Sequence, residues 1–336
     1  MRLNKLPKLD SIHPERILLL ESHLIGDCIM SVPLIKGLIA HYPGAKIDVM
    51  GNKWSKEILG NIKGINQIIE VKIPWSTYDY SAKNICSLLI KVMRLNKVRY
   101  DLILEPRGDL RNAFLISLIG GKRRFGYADT GGEYFFTDVA SPCSVYSHHI
   151  TKKLKLLDEL GYSDSEKYPI PEIEPESDAL KETKDFLSRN FFETDSQIVG
   201  IHPGASKAAR KLPPSMLRQL ILKILNSGKK ALLICAPHEY LSLRETMNEL
   251  SLDIPIFSGS IREVIALISQ LRTLVAMDSA ASHIGAAVGV KTIVIFANHI
   301  SPVTGAKGKQ VCYVHPDKLG GGIESVSIEE IMGFIV

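Results

Sequence analysis

Cysteine is scarce in this chain and unpatterned. Cys28, Cys86, Cys143, Cys235 and Cys312 are odd in number, far apart and form no CxxC pair, which excludes a disulfide-stapled scaffold and a thiolate metal site. They read as core or incidental thiols. Long hydrophobic runs are also missing: none reaches the ~18 residues that a membrane span needs, and Met1 to Glu15 is charged and proline-interrupted, without the apolar core of a signal peptide. A cytoplasmic protein is expected. No GxGxxG follows a strand-like run, which disfavours a dehydrogenase. His148 and His149 are adjacent rather than four apart, a poor arrangement for joint metal ligands.

The chain does have length, a globular composition and an uneven charge. Its 336 residues suit two domains on the usual ~100–200 residues per domain. With 45% hydrophobic and 23% charged residues it is neither disordered nor collagenous. Residues 1–162 carry 23 Lys/Arg against 16 Asp/Glu and residues 163–336 carry 18 against 20, so the halves are +7 and −2. A basic half suggests a polyanionic partner: nucleic acid, an anionic membrane surface or a phosphorylated substrate. The charges are dispersed rather than blocked, which ranks nucleic acid last.

Short β-branched or Leu-rich runs alternate with amphipathic stretches throughout, the signature of parallel strands joined by helices. Strands are expected at Arg16–Leu20, Lys46–Met50, Gln67–Val71 and Asp101–Glu105, with helices near Cys28–His41, Lys53–Gly60, Ala82–Asn96 and His148–Leu160. Pro169, Pro171 and Pro175 among acidic residues then break the pattern. Five strands follow, at Ile198–Ile201, Ala231–Cys235, Pro255–Phe257, Thr273–Ala276 and Thr292–Phe296, with helices near Pro213–Asn226, Glu239–Leu250, Arg262–Leu271 and Ala281–Val288. The expected organisation is an α/β chain of two Rossmann-like domains in tandem, 1–162 and 179–336, joined by a Pro-rich acidic linker at 163–178.

Open α/β sheets bind ligands at the carboxyl ends of their strands. After the first strand comes Glu21-Ser22-His23-Leu24-Ile25-Gly26-Asp27, in which Asp27 is either a helix N-cap or a catalytic carboxylate. His202-Pro203-Gly204-Ala205-Ser206-Lys207 leads to Arg210-Lys211 before Pro213, either an anion site for a diphosphate or a solvated basic loop. Asp278-Ser279-Ala280-Ala281-Ser282-His283 opens a small-residue helix whose free N–H groups suit a phosphate, or is an ordinary cap. Glu239, beyond another strand, either accepts from ribose hydroxyls or caps the next helix.

Ser22-x-x-x-Gly26-Asp27, His202-Pro203-Gly204-Ala205 with Arg210-Lys211-x-Pro213, and Asp278-Ser279-x-x-Ser282-His283 with Ala286-Ala287 together resemble the heptosyltransferases of glycosyltransferase family 9 in order and spacing. Asp101-Leu102-Ile103-Leu104, Arg124-Phe125-Gly126-Tyr127 and His149 extend the likeness over most of the chain. The resemblance implies a GT-B fold, its two domains facing a central cleft, the first for the acceptor and the second for the nucleotide sugar. It implies an inverting transfer with Asp27 as general base, no metal and no cofactor beyond the donor, ADP-heptose. His202, Gly204, Ser206, Arg210, Lys211, Glu239, Asp278, Ser279, Ser282 and His283 would bind the donor, and Ser22, Arg107, Asp109, Arg111 and Arg124 the acceptor. That acceptor would be an anionic glycan or glycolipid such as lipopolysaccharide core, with peripheral contact at the cytoplasmic face of the inner membrane and no nucleic-acid partner. No Asp-x-Asp occurs, which disfavours a metal-dependent GT-A enzyme. Ala280 stands where the family usually has Gly, Glu105-Pro106-Arg107-Gly108-Asp109 replaces an acidic-Gln-Gly run, and Ala297-Asn298-His299 departs from Gly-Pro-Thr, so the donor sugar stays open. The alternatives are a GT-B transferase for another nucleotide sugar, a nucleotide-sugar epimerase, or a non-catalytic nucleotide- or glycan-binding module.

Overall fold

The computed structural model describes residues 8–164, 167–190, 197–298, 303–317 and 320–335. The chain divides into two compact units, Met1–Pro171 and Glu172–Val336. In the first, the strands are β1 (Arg16–Glu21), β2 (Lys46–Gly51), β3 (Ile65–Glu70), β4 (Tyr100–Glu105), β5 (Gly121–Gly126) and β6 (Asp138–Val139). They form one parallel sheet in the order β3-β2-β1-β4-β5-β6. Its helices are α1 (Ile25–Met30), α2 (Val32–His41), α3 (Lys53–Leu59), α4 (Pro74–Thr77), α5 (Ala82–Asn96), α6 (Leu110–Ile119) and α7 (His149–Glu159). Ile17, Leu18, Leu19 and Leu20 are all buried. Helices cover both faces of a parallel sheet, which is why this strand is a continuous apolar run and not an alternating one.

The second unit repeats the plan. Its strands are β7 (Ile198–His202), β8 (Lys230–Cys235), β9 (Ile256–Ser258), β10 (Thr273–Met277), β11 (Lys291–Ile295) and β12 (Val311–Val314), parallel and ordered β12-β11-β10-β7-β8-β9. Its helices are α8 (Ser177–Arg189), α9 (Pro214–Asn226), α10 (Tyr240–Glu249), α11 (Ile261–Ile268), α12 (Ala280–Ala287) and α13 (Ile328–Ile335). Each unit therefore has the doubly wound α/β topology, with its order reversing between β1 and β4 or between β7 and β10.

One local expectation changes, and β5 is a strand that was not expected. The helix expected over Cys28–His41 is two helices, α1 and α2, because the chain breaks at Ser31 and restarts on Pro33 in the first turn of α2. Lys122-Arg123-Arg124 lies inside β5, which only Phe125 marks as a strand by its apolarity; Arg123 is buried against Asp138.

The break at Ser31 is where the first unit is tied together. Lys153 of α7 is buried and donates to Glu21 Oε2 at the end of β1 (3.0 Å) and to the Asp27 carbonyl in α1 (2.9 Å). It also bonds the Ser31 hydroxyl, which donates in turn to the Glu21 carboxylate. An ammonium and a carboxylate removed from water keep their charge only when nearly every proton and lone pair is used, and here one buried network links β1, α1, α2 and α7. Lys153→Met should leave Glu21 charged and unpaired and cost about 3–5 kcal/mol. Adding Glu21→Gln should recover a large part of that loss, because the stranded charge is gone. Urea denaturation of the two variants measures both, and equal destabilisation by the single and double variants would rule out the ion pair as the cause.

Candidate active site

In the first unit the carboxyl ends of β1 and β4 meet at the topological switch point, where a doubly wound sheet opens a crevice. Asp27 sits in the first turn of α1, and the cap position is Leu24, which has no capping side chain. The N-cap alternative therefore falls. The Asp27 carboxylate lies 3.0 Å from Arg107 Nη1, after β4, and 3.8 Å from His149 Nδ1, at the start of α7. Leu20, Glu21, His23, Asp27, Pro106 and Arg107 line a pocket there, closed by His149, Lys152 and Lys153.

Burial alone would raise the proton affinity of Asp27. The neighbouring His149 imidazole and the charges of Lys153 and Arg107 outweigh it and hold the carboxyl well below the usual range. His23 is lowered too, but by its burial: that burial, reinforced by Arg107, brings its imidazole down to about 4, so it is neutral at pH 7. Burial pushes Glu105 up to about 7, although its oxygens accept from Asn112 Nδ2 (2.9 Å) and Gly108 N (2.6 Å). Asp27 is thus kept ionised at the pocket, whereas Glu105, fully buried at the end of β4, is raised toward neutral pH.

Asn112 organises this edge. Its Oδ1 accepts from Trp75 Nε1 (2.9 Å) and from Ser22 Oγ (3.4 Å), and its Nδ2 lies 3.4 Å from His23 Nε2. Ser22, expected at the acceptor, is fully buried and serves Asn112 instead. The His23 carbonyl accepts from Trp54 Nε1 (2.9 Å) and Asn52 Nδ2 (3.2 Å). The remaining acceptor expectations divide. Arg107 is at the pocket, whereas Asp109 caps α6 by accepting from Arg111 N (2.8 Å) and is gripped by the Arg111 guanidinium (3.0 and 2.6 Å). Arg124 is not at the ligand edge: within β5 it donates to the Phe135 carbonyl (2.8 Å) and the Gly121 carbonyl (3.1 Å). Lys122 pairs with Asp101 (2.7 Å) near the amino ends of β5 and β4, away from the crevice.

In the second unit the corresponding switch lies between β7 and β10. His202 ends β7 with Nδ1 3.4 Å from Ser279 Oγ, and its burial lowers its proton affinity. A Cβ on Gly204 would stand 3.0 Å from Glu239 Oε2, so only glycine lets the backbone pass this carboxylate without displacing it. Glu239 accepts from Lys211 Nζ (3.1 Å) and from Ala236 N (3.4 Å). Asp278 is half-buried; burial raises its carboxyl and the nearby Arg210 charge opposes that rise. Ser279 and Ser282 bond reciprocally across the first turn of α12, through Ser282 Oγ to the Ser279 carbonyl (2.7 Å) and Ser279 N to Ser282 Oγ (3.4 Å). Ser282 and His283 are both buried. Ser206 is exposed on the loop after β7. Pro203, Gly204, Lys211, Leu212, Cys235 and Glu239 line a second pocket, against α10. Phe296 stacks on His315, with centroids 5.0 Å apart, while His299 and Ile300 of the altered loop lie outside the described residues.

Sequence reasoning missed His23, Asn112 and Lys153 around the first site, and noted Glu105 only within the run that follows β4. His23 was within reach, since it belongs to the same post-strand motif as Asp27. Asn112 and Lys153 had no signal of their own, being single polar residues on apolar helix faces. Among the described residues, no group of three His, Cys, Asp or Glu side chains is placed to hold a metal ion.

Comparison with known proteins converges. Lipopolysaccharide heptosyltransferase 3 of Escherichia coli K12 is 26% identical over 283 residues, covering 81% of this chain and 79% of that one. Among solved structures, a glycosyl transferase family 9 protein from Veillonella parvula superposes with a TM-score of 0.85 at 16% identity over 97% of both chains. The E. coli heptosyltransferase WaaC with ADP reaches 0.76 at 18% identity, over 95% of this chain and 98% of that one. These likenesses establish the same GT-B fold. The sequence profile of glycosyltransferase family 9 (heptosyltransferase) matches residues 90–319, spanning β4 through β12 and the motifs at His202, Glu239 and Asp278, and so this chain, a glycosyltransferase, belongs to that family.

Proposed function

We propose that this glycosyltransferase moves a heptose from ADP-heptose to a saccharide of the lipopolysaccharide core or a related anionic glycan, in the cytoplasm, with inversion at the anomeric carbon and without a metal. The observation that carries the reading is the Asp27 carboxylate, largely enclosed at the carboxyl edge of the first sheet and kept ionised by Arg107 and Lys153, with the His149 imidazole beside it. The name of the E. coli relative supports the lipopolysaccharide acceptor, and the ADP in the WaaC structure supports the nucleotide.

In this reading the first unit presents the acceptor and the second holds the donor. Asp27 takes the proton of the acceptor hydroxyl as its oxygen bonds to the anomeric carbon. The bond from that carbon to the diphosphate breaks, and the electron pair leaves on ADP. A single displacement inverts the centre. Arg210 and the N–H groups opening α12 would meet the charge on the departing phosphate, and Glu239 would accept from ribose hydroxyls.

A carboxylate held so strongly ionised is a weak base, so its cations matter to catalysis as well as to order. Arg107 is 39% exposed and its partner Asp27 14%. A phosphate or carboxylate of the acceptor can draw that guanidinium away, and the proton affinity of Asp27 then rises when substrate is present. Arg107 would thus bind the acceptor and set the strength of the base.

Asp27→Asn keeps the volume but removes the proton acceptor, and should lower kcat ~10²–10⁴-fold while ADP binding is unchanged. Wild-type turnover in this variant would leave Asp27 with no catalytic role. Arg107→Gln removes a cation beside Asp27, so its pKa rises; the acid limb of the kcat/KM profile should move to higher pH and the acceptor KM should increase. An unmoved limb would rule out the coupling.

On the donor side, Arg210→Ala and Ser279→Ala should weaken ADP by roughly 1.5–3 kcal/mol and leave adenosine almost unaffected, whereas Glu239→Ala should weaken both. Calorimetry with the two ligands separates these effects, and unchanged affinities in all three variants would remove the second unit as the donor site. Product analysis with a panel of nucleotide sugars decides between heptose and another donor.

A further inference from the structure

Much of the basic charge of the first half is engaged: Arg107, Lys122 and Arg123 are ion-paired, and Arg111 is held by Asp109. The free ones lie elsewhere. Lys83 and Arg94 on α5 and Lys97 and Arg99 just beyond it make no ion pair among the described residues, and neither α5 nor α6 contains an Asp or Glu.

The same face is unusually apolar. Helix α5 buries only Leu88, Val92 and Leu95, while Leu89, Ile90 and Met93 are 47%, 46% and 59% exposed. On the neighbouring α6, Leu110, Phe114 and Leu118 repeat every four residues along the outward side and are all exposed. Asn96 of α5 donates to the Ile119 carbonyl of α6 (2.9 Å), which joins the two stripes into one surface. On α5, at 100° per residue, Lys83, Arg94 and Lys97 project along one margin of the apolar stripe. Isolated exposed apolar residues need no explanation, but a contiguous two-helix patch bordered by unpaired cations does.

We propose that the outward face of α5 and α6 is a docking surface for an anionic lipid bilayer, lying in the headgroup region. Charge decides the occupant. A second copy of this chain meeting this face by two-fold symmetry would bring the same unpaired cations together with no carboxylate on either helix to answer them. Anionic headgroups neutralise those cations while the apolar stripe enters the headgroup–acyl boundary, and the long Lys and Arg stems reach back to the phosphates. Contact of this kind is interfacial, in keeping with the finding that no helix of the described residues is long and apolar enough to cross a membrane. Helix α6 also carries Asn112, which bonds Glu105 at the crevice, so docking would set that edge of the first unit close to the lipid surface. The docking surface stands independently of the transfer chemistry proposed above.

Co-sedimentation of the full chain with vesicles tests this. The protein should bind vesicles of phosphatidylcholine and phosphatidylglycerol at about 7:3 and not those of phosphatidylcholine alone. Raising NaCl from ~0.1 M to ~0.5 M should lower the bound fraction. Leu89→Glu with Met93→Glu, and separately Lys83→Glu with Arg94→Glu, should each weaken binding ~10-fold or more at unchanged Tm. All four positions are exposed, and the charge pair decides the matter if the apolar pair melts early. Failure of the wild type to bind phosphatidylglycerol vesicles, or binding by the charge variant equal to wild type, would overturn the proposal. So would a dimer in sedimentation velocity that Leu89→Glu with Met93→Glu dissolves in a protein that ignores vesicles, since the face would then belong to a second copy.

Discussion

The first unit depends on one buried ammonium. Lys153 reaches from α7 to the end of β1 and into the break between α1 and α2, and its bond to the Asp27 carbonyl fixes the turn from which the Asp27 carboxylate projects. Glu21 neutralises that charge locally, so the field of Lys153 still favours an ionised Asp27 without leaving an isolated cation in the core. Stability and site chemistry are therefore coupled through the same side chain. The helix break at Ser31 is part of this device, since its hydroxyl bridges Lys153 and Glu21.

The two units use one topology for different electrostatic ends. At the first switch point, Arg107, Lys153 and His149 hold Asp27 low against its burial, while burial keeps His23 neutral and pushes Glu105 up to about 7. At the second, glycine and small residues bring the backbone close to Glu239 and leave the N-terminus of α12 lined by Ser279 and Ser282. The first arrangement suits proton transfer and the second suits a charged nucleotide, which is the division expected of an enzyme that joins a neutral hydroxyl to a diphosphate sugar.

The parallel strands were legible because a strand buried on both faces must be apolar throughout, as Ile17–Leu20 and Leu232–Ile234 are. β5 was not, since Lys122, Arg123 and Arg124 satisfy their charges through Asp101, Asp138 and backbone carbonyls that only the folded chain supplies. The same fact limits inference from net charge. A surplus of seven cations in the first half does not say which of them face outward unpaired: ion pairing takes up Arg107, Lys122 and Arg123, whereas Lys83 and Arg94 on α5 make no ion pair among the described residues. Asp27 was legible from its place after β1. Its partners His149, Arg107 and Lys153 come from distant parts of the chain, and no local pattern joins them.

In the proposed transfer one ionised carboxylate acts as a base, no nucleophile on the protein intervenes, and the sugar moves in a single displacement. The anomeric configuration of the first-formed product tests this most directly. Proton NMR of the glycoside made from ADP-heptose should show the configuration opposite to that of the donor, from the earliest time points. A product that retains the donor's configuration would require two displacements and would contradict Asp27 as the base of a direct transfer.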